Sequence, residues 1–168
     1  MKNTTEAVRK KKGLSIVIPA AGIGSRMKSY GPKPLIRIGN QSLIKRQIDI
    51  LRDCFYSPEI ILVCGHESHR VMDSTPNNII KVENENYTET NVSRSIAIGL
   101  RASTRDKVLI VYGDLFFNKE TFKNVNLSSS SLFIDTSGWM TKDEVGCNIS
   151  NKRAQYLIPD IQNKWAQI

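Results

Sequence analysis

The segment PAAGIGSRMKSYGPKPL, residues 19–35, sets two closely spaced glycines beside an arginine and a lysine, a set suited to gripping a chain of phosphates. Gly22 and Gly24 follow an apolar, β-branched run, SIVIPA (15–20), and precede a short stretch compatible with a helix. Glycine there permits positive φ and lets the backbone approach a ligand closely. The N–H groups of such a turn form an anion-binding concavity. Spacing excludes two common phosphate loops. A dinucleotide fingerprint needs a third glycine where Met27 stands, and a P-loop would close on Gly-Lys-Ser/Thr where Ser25-Arg26 stands. What remains is GxGxR followed by PKPL. Arg26 can fork onto a β- or γ-phosphate, and Lys33 supplies a point charge suited to an α-phosphate. Pro32 and Pro34 keep Lys33 in a stiff, extended segment, so little entropy is lost when it engages. The bland alternative is a strand-to-helix turn carrying two surface cations.

Two further places could do chemistry. KVLIVYGD (107–114) reads as a buried strand ending in Gly113-Asp114. A carboxylate at that end suits Mg²⁺, which takes one or two carboxylates together with phosphate oxygens; otherwise Asp114 starts a turn or caps a helix near 118. NYTETNVSRS (86–95) opens a helix, with Asn91 and Ser95 as candidate contacts to a nucleotide or an acceptor, or with Thr90 or Asn91 as plain caps. Gly65, after the run EIILVCG, could let a base approach. His66 and His69 in GHESH miss the HExxH spacing by one residue and read as a polar helix start.

These residues need a scaffold, and the apolar pattern predicts one. Strands are expected at 15–20, 59–65, 78–83, 107–114 and 131–137, and helices at 42–53, near 66–73, and at 90–102. In the first helix Leu43, Ile44, Ile48 and Leu51 make one stripe, with Ser42 as N-cap. In the last, Val92, Ile96 and Leu100 are expected inward. EVGCNISNKRAQYLI (144–158) alternates about Asn151-Lys152 as a hairpin. Strand–helix alternation with continuous apolar strands means a mostly parallel sheet covered on both faces. Ligands of such sheets bind at the carboxyl ends of the strands, which here are Ala20–Gly24, Gly65 and Gly113-Asp114.

AAGIGSRM followed by PKPL resembles the signature of the nucleotidyltransferase superfamily, which includes sugar-phosphate nucleotidylyltransferases, MobA-like molybdenum-cofactor transferases and cytidylyltransferases. The resemblance implies a three-layer α/β/α Rossmann-like fold and Mg²⁺-dependent transfer of NMP from an NTP to a phosphorylated small molecule, with release of pyrophosphate. It places Gly22, Gly24 and Ser25 at the nucleotide, Arg26 on the β- and γ-phosphates, Lys33 on the α-phosphate and Asp114 on the metal. Ala20 and Ala21 offer backbone groups to the base. The Asn91…Ser95 spacing is most similar to bacterial choline-phosphate cytidylyltransferases and favours CTP. Asp135 and Trp139 fall where the family places acceptor contacts, and an aromatic face could hold a quaternary ammonium; ordinary packing of Trp139 is the alternative. Family members commonly continue further and supply a second metal-binding aspartate late in the chain. A single domain over 13–168 lacking that part is therefore expected, active or else a module that binds nucleotide without turnover.

Bulk properties agree with an enzyme of this size. The chain has 168 residues, 40% hydrophobic and 24% charged, enough for one substantial core. No run approaches the ~18 apolar residues of a membrane helix, and the N-terminus lacks a secretory pattern, so a cytoplasmic location is expected. Cys54, Cys64 and Cys147 are an odd number with no CxxC spacing, which argues against a disulfide framework and a zinc site. The net charge is +8, but Lys2, Arg9, Lys10, Lys11 and Lys12 against Glu6 account for half of it in a basic tail (1–12) expected to be disordered. With no aromatic-interleaved basic stripe, nucleic acid is not expected as a partner. Homo-oligomerisation is left open.

Overall fold

The computed structural model describes residues 11–24, 31–134, 146–151 and 153–158. The expected tail falls mostly outside them, at 1–10, although Lys11 and Lys12 already belong to a strand. In chain order the elements are β1 (Lys11–Ala20), a 3-10 turn (Lys33–Leu35), the short strands β2 (Arg37–Ile38) and β3 (Gln41–Ser42), α1 (Leu43–Cys54), β4 (Glu59–Cys64), α2 (Ser68–Asp73), β5 (Ile80–Glu83), α3 (Val92–Ala102) and β6 (Arg105–Ile110). A second 3-10 turn, Lys119–Phe122, precedes β7 (Gly146–Ser150) and β8 (Arg153–Ile158). The described residues up to Val125 form one compact unit and those from Asn126 onward another.

In the first unit, β5, β4, β1 and β6 lie side by side in that order, and every pairing is parallel. The connections run outward from β1 through α1 and α2 on one side, then return past β1 through α3. Right-handed crossovers therefore put α1 and α2 on one face and α3 on the other, a three-layer α/β fold. The direction of winding reverses between β1 and β6, and the cleft above that switch point is where such folds bind ligands.

Helix α1 follows its sequence closely. Ser42 is the N-cap, its hydroxyl accepting from Lys45 N at 3.4 Å. Leu43, Ile44, Ile48 and Leu51 are all buried, as are Ile16, Ile18 and Leu62 of the sheet. Helix α3 does not follow its apolar pattern. Val92 and Leu100 are exposed and Ile96 is half-buried, while Ser95 and Gly99 are buried. The reason is distance: a Cβ on Gly99 would lie 2.4 Å from Val17 Cγ1 and 3.1 Å from Val63 Cγ2. The helix sits so near Val17, Ile61 and Val63 that its contact line is made of small residues, with Ile98 and Ala102 packing beside it.

At the amino ends of the strands, Glu59 ties three segments together. It accepts from Ser15 Oγ at 2.5 Å, from Thr104 N at 2.9 Å and from Thr104 Oγ1 at 2.5 Å, while buried Ser103 donates to Ser15 Oγ at 3.0 Å. Desolvation pushes the carboxyl up, but these hydrogen bonds and the charge of Arg105 outweigh it and hold Glu59 below the usual carboxylate range. Because the folded state favours the ionised form, this stabilisation is complete above the range where an unfolded glutamate titrates. It is lost as pH falls through the lowered folded value. Glu59→Gln should cost about 1–3 kcal/mol near neutrality, and its Tm deficit should shrink as the pH drops towards 3. A deficit that stays constant from pH 7 to pH 3 would reject the ionised clamp. At the opposite end of β4, burial pushes the Cys64 thiol up to about 12, so it packs as a small apolar group.

In the second unit, β7 and β8 pair antiparallel about Asn151, whose φ is +51°, the left-handed turn residue that the alternation called for. The strand expected over 131–137 is not found in its described part: residues 131–134 join none of the described sheets. Leu132, Phe133 and Ile134 are 45–54% exposed. Apolar content alone makes no strand without a ladder to join.

Candidate active site

The site forms where β1, β5 and β6 end. β1 runs from buried Ile16, Val17 and Ile18 through Pro19 to Ala20 and Ala21, both nearly buried, before the chain turns at Gly22–Gly24. Gly24 has φ +65°, and a Cβ there would lie 3.1 Å from Lys33 Cγ, so the turn conformation and the seat of the lysine stem both call for glycine. Gly22 has open space around it. Lys33 starts the 3-10 turn, with Pro32 as its N-cap and Pro34 buried beside it.

Beyond Ile110 the chain stays bonded to β1, Val111 N to Val17 O at 3.0 Å and Gly113 N to Pro19 O at 3.1 Å, and then turns through Gly113-Asp114. The turn lies tight against β1, since a Cβ on Gly113 would come within 2.9 Å of Ala20 Cβ and 3.0 Å of Pro19 O. This brings Asp114 Oδ2 to 3.0 Å from Lys33 Nζ, across 81 positions of sequence. The two charged groups remain 35% and 48% exposed, open to a ligand rather than locked in the core.

The third wall is the stretch from Asn84 to Ser95. Asn84, 3% exposed at the end of β5, donates through Nδ2 to Thr90 Oγ1 at 3.0 Å and to Ser95 Oγ at 3.1 Å. Asn91 caps α3, its Oδ1 accepting from Ser93 N at 3.0 Å, which is the capping role open to it from sequence. Together with Tyr87 and Tyr112 these walls enclose a cavity of about 250 Å³, near the lower end of the roughly 300–1,000 Å³ usual for small-molecule sites.

Of the residues singled out in the sequence, Ala20, Ala21, Gly22, Gly24, Lys33, Asn91, Ser95 and Asp114 all line this cavity. Gly65 does not: a Cβ there would strike Tyr87 Cβ at 2.7 Å and Ala21 Cβ at 2.8 Å, so its missing side chain makes room for protein. Ala21 O already accepts from His66 N at 3.0 Å. His66 stands before α2 beside Glu67, with its ring 5.9 Å from that of Tyr87, and His69 is exposed. Ser25, Arg26, Asp135 and Trp139 lie outside the described residues. Asn84, Tyr87 and Tyr112 were not singled out. Asn84 stands at a strand's carboxyl end, so the rule that found Asp114 would have found it.

Asp114 suits a hard divalent cation that completes its shell with substrate oxygens, because its carboxylate is half-exposed, borders the cavity and lies beside the Lys33 ammonium. Among the described residues, no group of three His, Cys, Asp or Glu side chains forms a self-sufficient metal cage. Among them, too, no helix is long and apolar enough to cross a membrane.

Comparison with known proteins agrees with this geometry. The profile of the MobA-like NTP transferase domain matches residues 16–128. The bifunctional protein GlmU of Neisseria meningitidis serogroup B is 34% identical over 102 residues, 61% of this chain and 22% of that protein. The chain thus spans under a quarter of the length of such curated relatives. A nucleotidyl transferase structure from Methanothermobacter thermautotroptrophicus is 26% identical with a TM-score of 0.56, covering 66% of this chain and 55% of the other. The CTP:phosphocholine cytidylyltransferase of Streptococcus pneumoniae shares the fold at 18% identity and a TM-score of 0.61, covering 88% of this chain and 64% of that one. With its parallel sheet, its glycine turn at the switch point and its matching profile, the chain belongs to the MobA-like NTP transferase family of nucleotidyltransferases.

Proposed function

We propose that this protein transfers an NMP group, CMP by preference, from an NTP to a phosphorylated small molecule and releases pyrophosphate. The observation that carries the proposal is the 3.0 Å approach of Lys33 to Asp114 at the mouth of the glycine-lined cavity. An oxygen of the acceptor phosphate attacks the α-phosphorus; the new O–P bond forms as the bond to the β-phosphate oxygen breaks. The nucleophile is already ionised, so positioning and electrostatics carry the rate. Lys33 meets charge developing on the α-phosphate, and the amides around Gly24 hold phosphate oxygens. Arg26, by its place in the motif, holds the leaving pyrophosphate. Asp114 would hold Mg²⁺, which when bound neutralises charge shared between the phosphates.

The walls of the cavity support the substrate classes. Ser95 and Asn91 border it from α3, and their spacing is the feature that favours CTP. Likeness to the cytidylyltransferase structure concerns the fold and adds nothing to the base preference. Asp135 and Trp139 remain the proposed acceptor contacts. Pyrophosphate release from each of the four NTPs, with Mg²⁺ and a panel of phosphorylated acceptors, tests the reading. Release with CTP and one acceptor is expected. Nucleotide binding without release for any pair would instead make the protein a binding module.

A further inference from the structure

Gln47 sits on α1 between two fully buried isoleucines, Ile44 and Ile48, and is itself 1% exposed. Its Nε2 donates to Tyr112 O at 3.1 Å and to Leu115 O at 2.6 Å. Those carbonyls are the first and last of the turn Tyr112-Gly113-Asp114-Leu115, which closes on itself through Leu115 N to Tyr112 O at 3.2 Å. Both amide protons of Gln47 therefore go to the turn that carries Asp114. Its own Oε1 is buried and has no hydrogen-bond partner among the described residues. An unmet buried acceptor is destabilising, a cost set against the two hydrogen bonds that the amide nitrogen gives to the turn.

The same helix holds both halves of the charged pair. Arg46 Nη2 donates to Phe117 O at 3.4 Å, with the guanidinium 4.9 Å from the centre of the Phe116 ring. At its start, Leu43 N donates to Ile36 O at 2.8 Å, joining the helix to the segment after Lys33. Helix α1 thus links the segment after Lys33 to the turn that carries Asp114.

We propose that Gln47 is a positioning residue for the metal site: its amide spans the Asp114 turn and sets the direction of that carboxylate. This rests on the nucleotidyl-transfer reading of the cavity. The test is Mn²⁺ binding to the whole protein in the presence of CTP, followed by the EPR signal of free Mn²⁺, alongside CTP binding without metal. In Gln47→Leu the Mn²⁺ dissociation constant should rise roughly 10- to 100-fold, the scale for losing a partner that orients a ligand. Metal-free CTP affinity should stay near the wild-type value, which a general loss of structure would not allow. A folded Gln47→Leu with unchanged Mn²⁺ affinity would overturn the inference and leave the proposed function standing. If Gln47→Leu does not fold, Gln47→Glu keeps the shape. It donates at most one hydrogen bond to the turn, so its Mn²⁺ dissociation constant should also rise while metal-free CTP affinity stays near the wild-type value. A folded Gln47→Glu with unchanged Mn²⁺ affinity counts against the inference. If Mn²⁺ binding to wild type is the same in Asp114→Asn, the site reading fails and the inference falls with it.

Discussion

In the Lys33→Ala variant, turnover is expected to fall roughly 100-fold or more, the scale on which one preorganised charge stabiliser acts. The fold should survive, because the side chain is 35% exposed and its main contacts are the stem on Gly24 and the ion pair with Asp114. The loss should appear in kcat more than in KM, since on the proposed mechanism the lysine meets charge that develops during transfer. Lys33→Met, which keeps most of the stem, separates packing from charge and should be nearly as impaired. Lys33→Arg should recover only part, because a planar fork cannot replace a compact ammonium between two glycine-backed walls. Pyrophosphate release under saturating CTP is the measurement. A Lys33→Ala enzyme close to wild-type turnover would remove the lysine from the chemistry.

Asp114→Asn should be comparably damaging to Mg²⁺-supported turnover, again about 100-fold or more, yet it should strengthen nucleotide binding in the absence of metal. Two effects act in that direction. Neutralising the carboxylate removes a negative charge beside the phosphates. It also releases Lys33 from the partner it holds at 3.0 Å, leaving the ammonium free for the triphosphate. Binding and turnover then move in opposite directions, which general loss of structure cannot produce. Calorimetric CTP titrations with and without Mg²⁺ report the first, and pyrophosphate release the second. A variant that loses affinity under both conditions would show that Asp114 supports the fold of the cavity rather than a metal.

Much of the frame was legible because it is local. The apolar stripe and Ser42 cap of α1, the glycine turn after β1 and the hairpin about Asn151 each follow from a few neighbouring side chains and one backbone preference. Helix α3 shows where local reading stops. Val92, Ile96 and Leu100 predicted the wrong face, because the sheet lies so close that it accepts Ser95 and Gly99 instead, with Ile98 packing beside them. Packing distance is a property of two elements, and neither segment records it alone.

The amino-acid sequence by itself determined which groups were available for phosphate chemistry and which strands would carry them. Only the tertiary structure decided that Lys33 and Asp114 meet, that Asn84 ties Thr90 to Ser95, and that Gln47 holds the turn carrying Asp114. Each of the pairs that build the site's charged centre and its brace depends on β6 returning to lie against β1 after two outward crossovers. That neighbourhood is set by strand order, a long-range outcome of burying both sheet faces, which side-chain spacing along one segment does not encode.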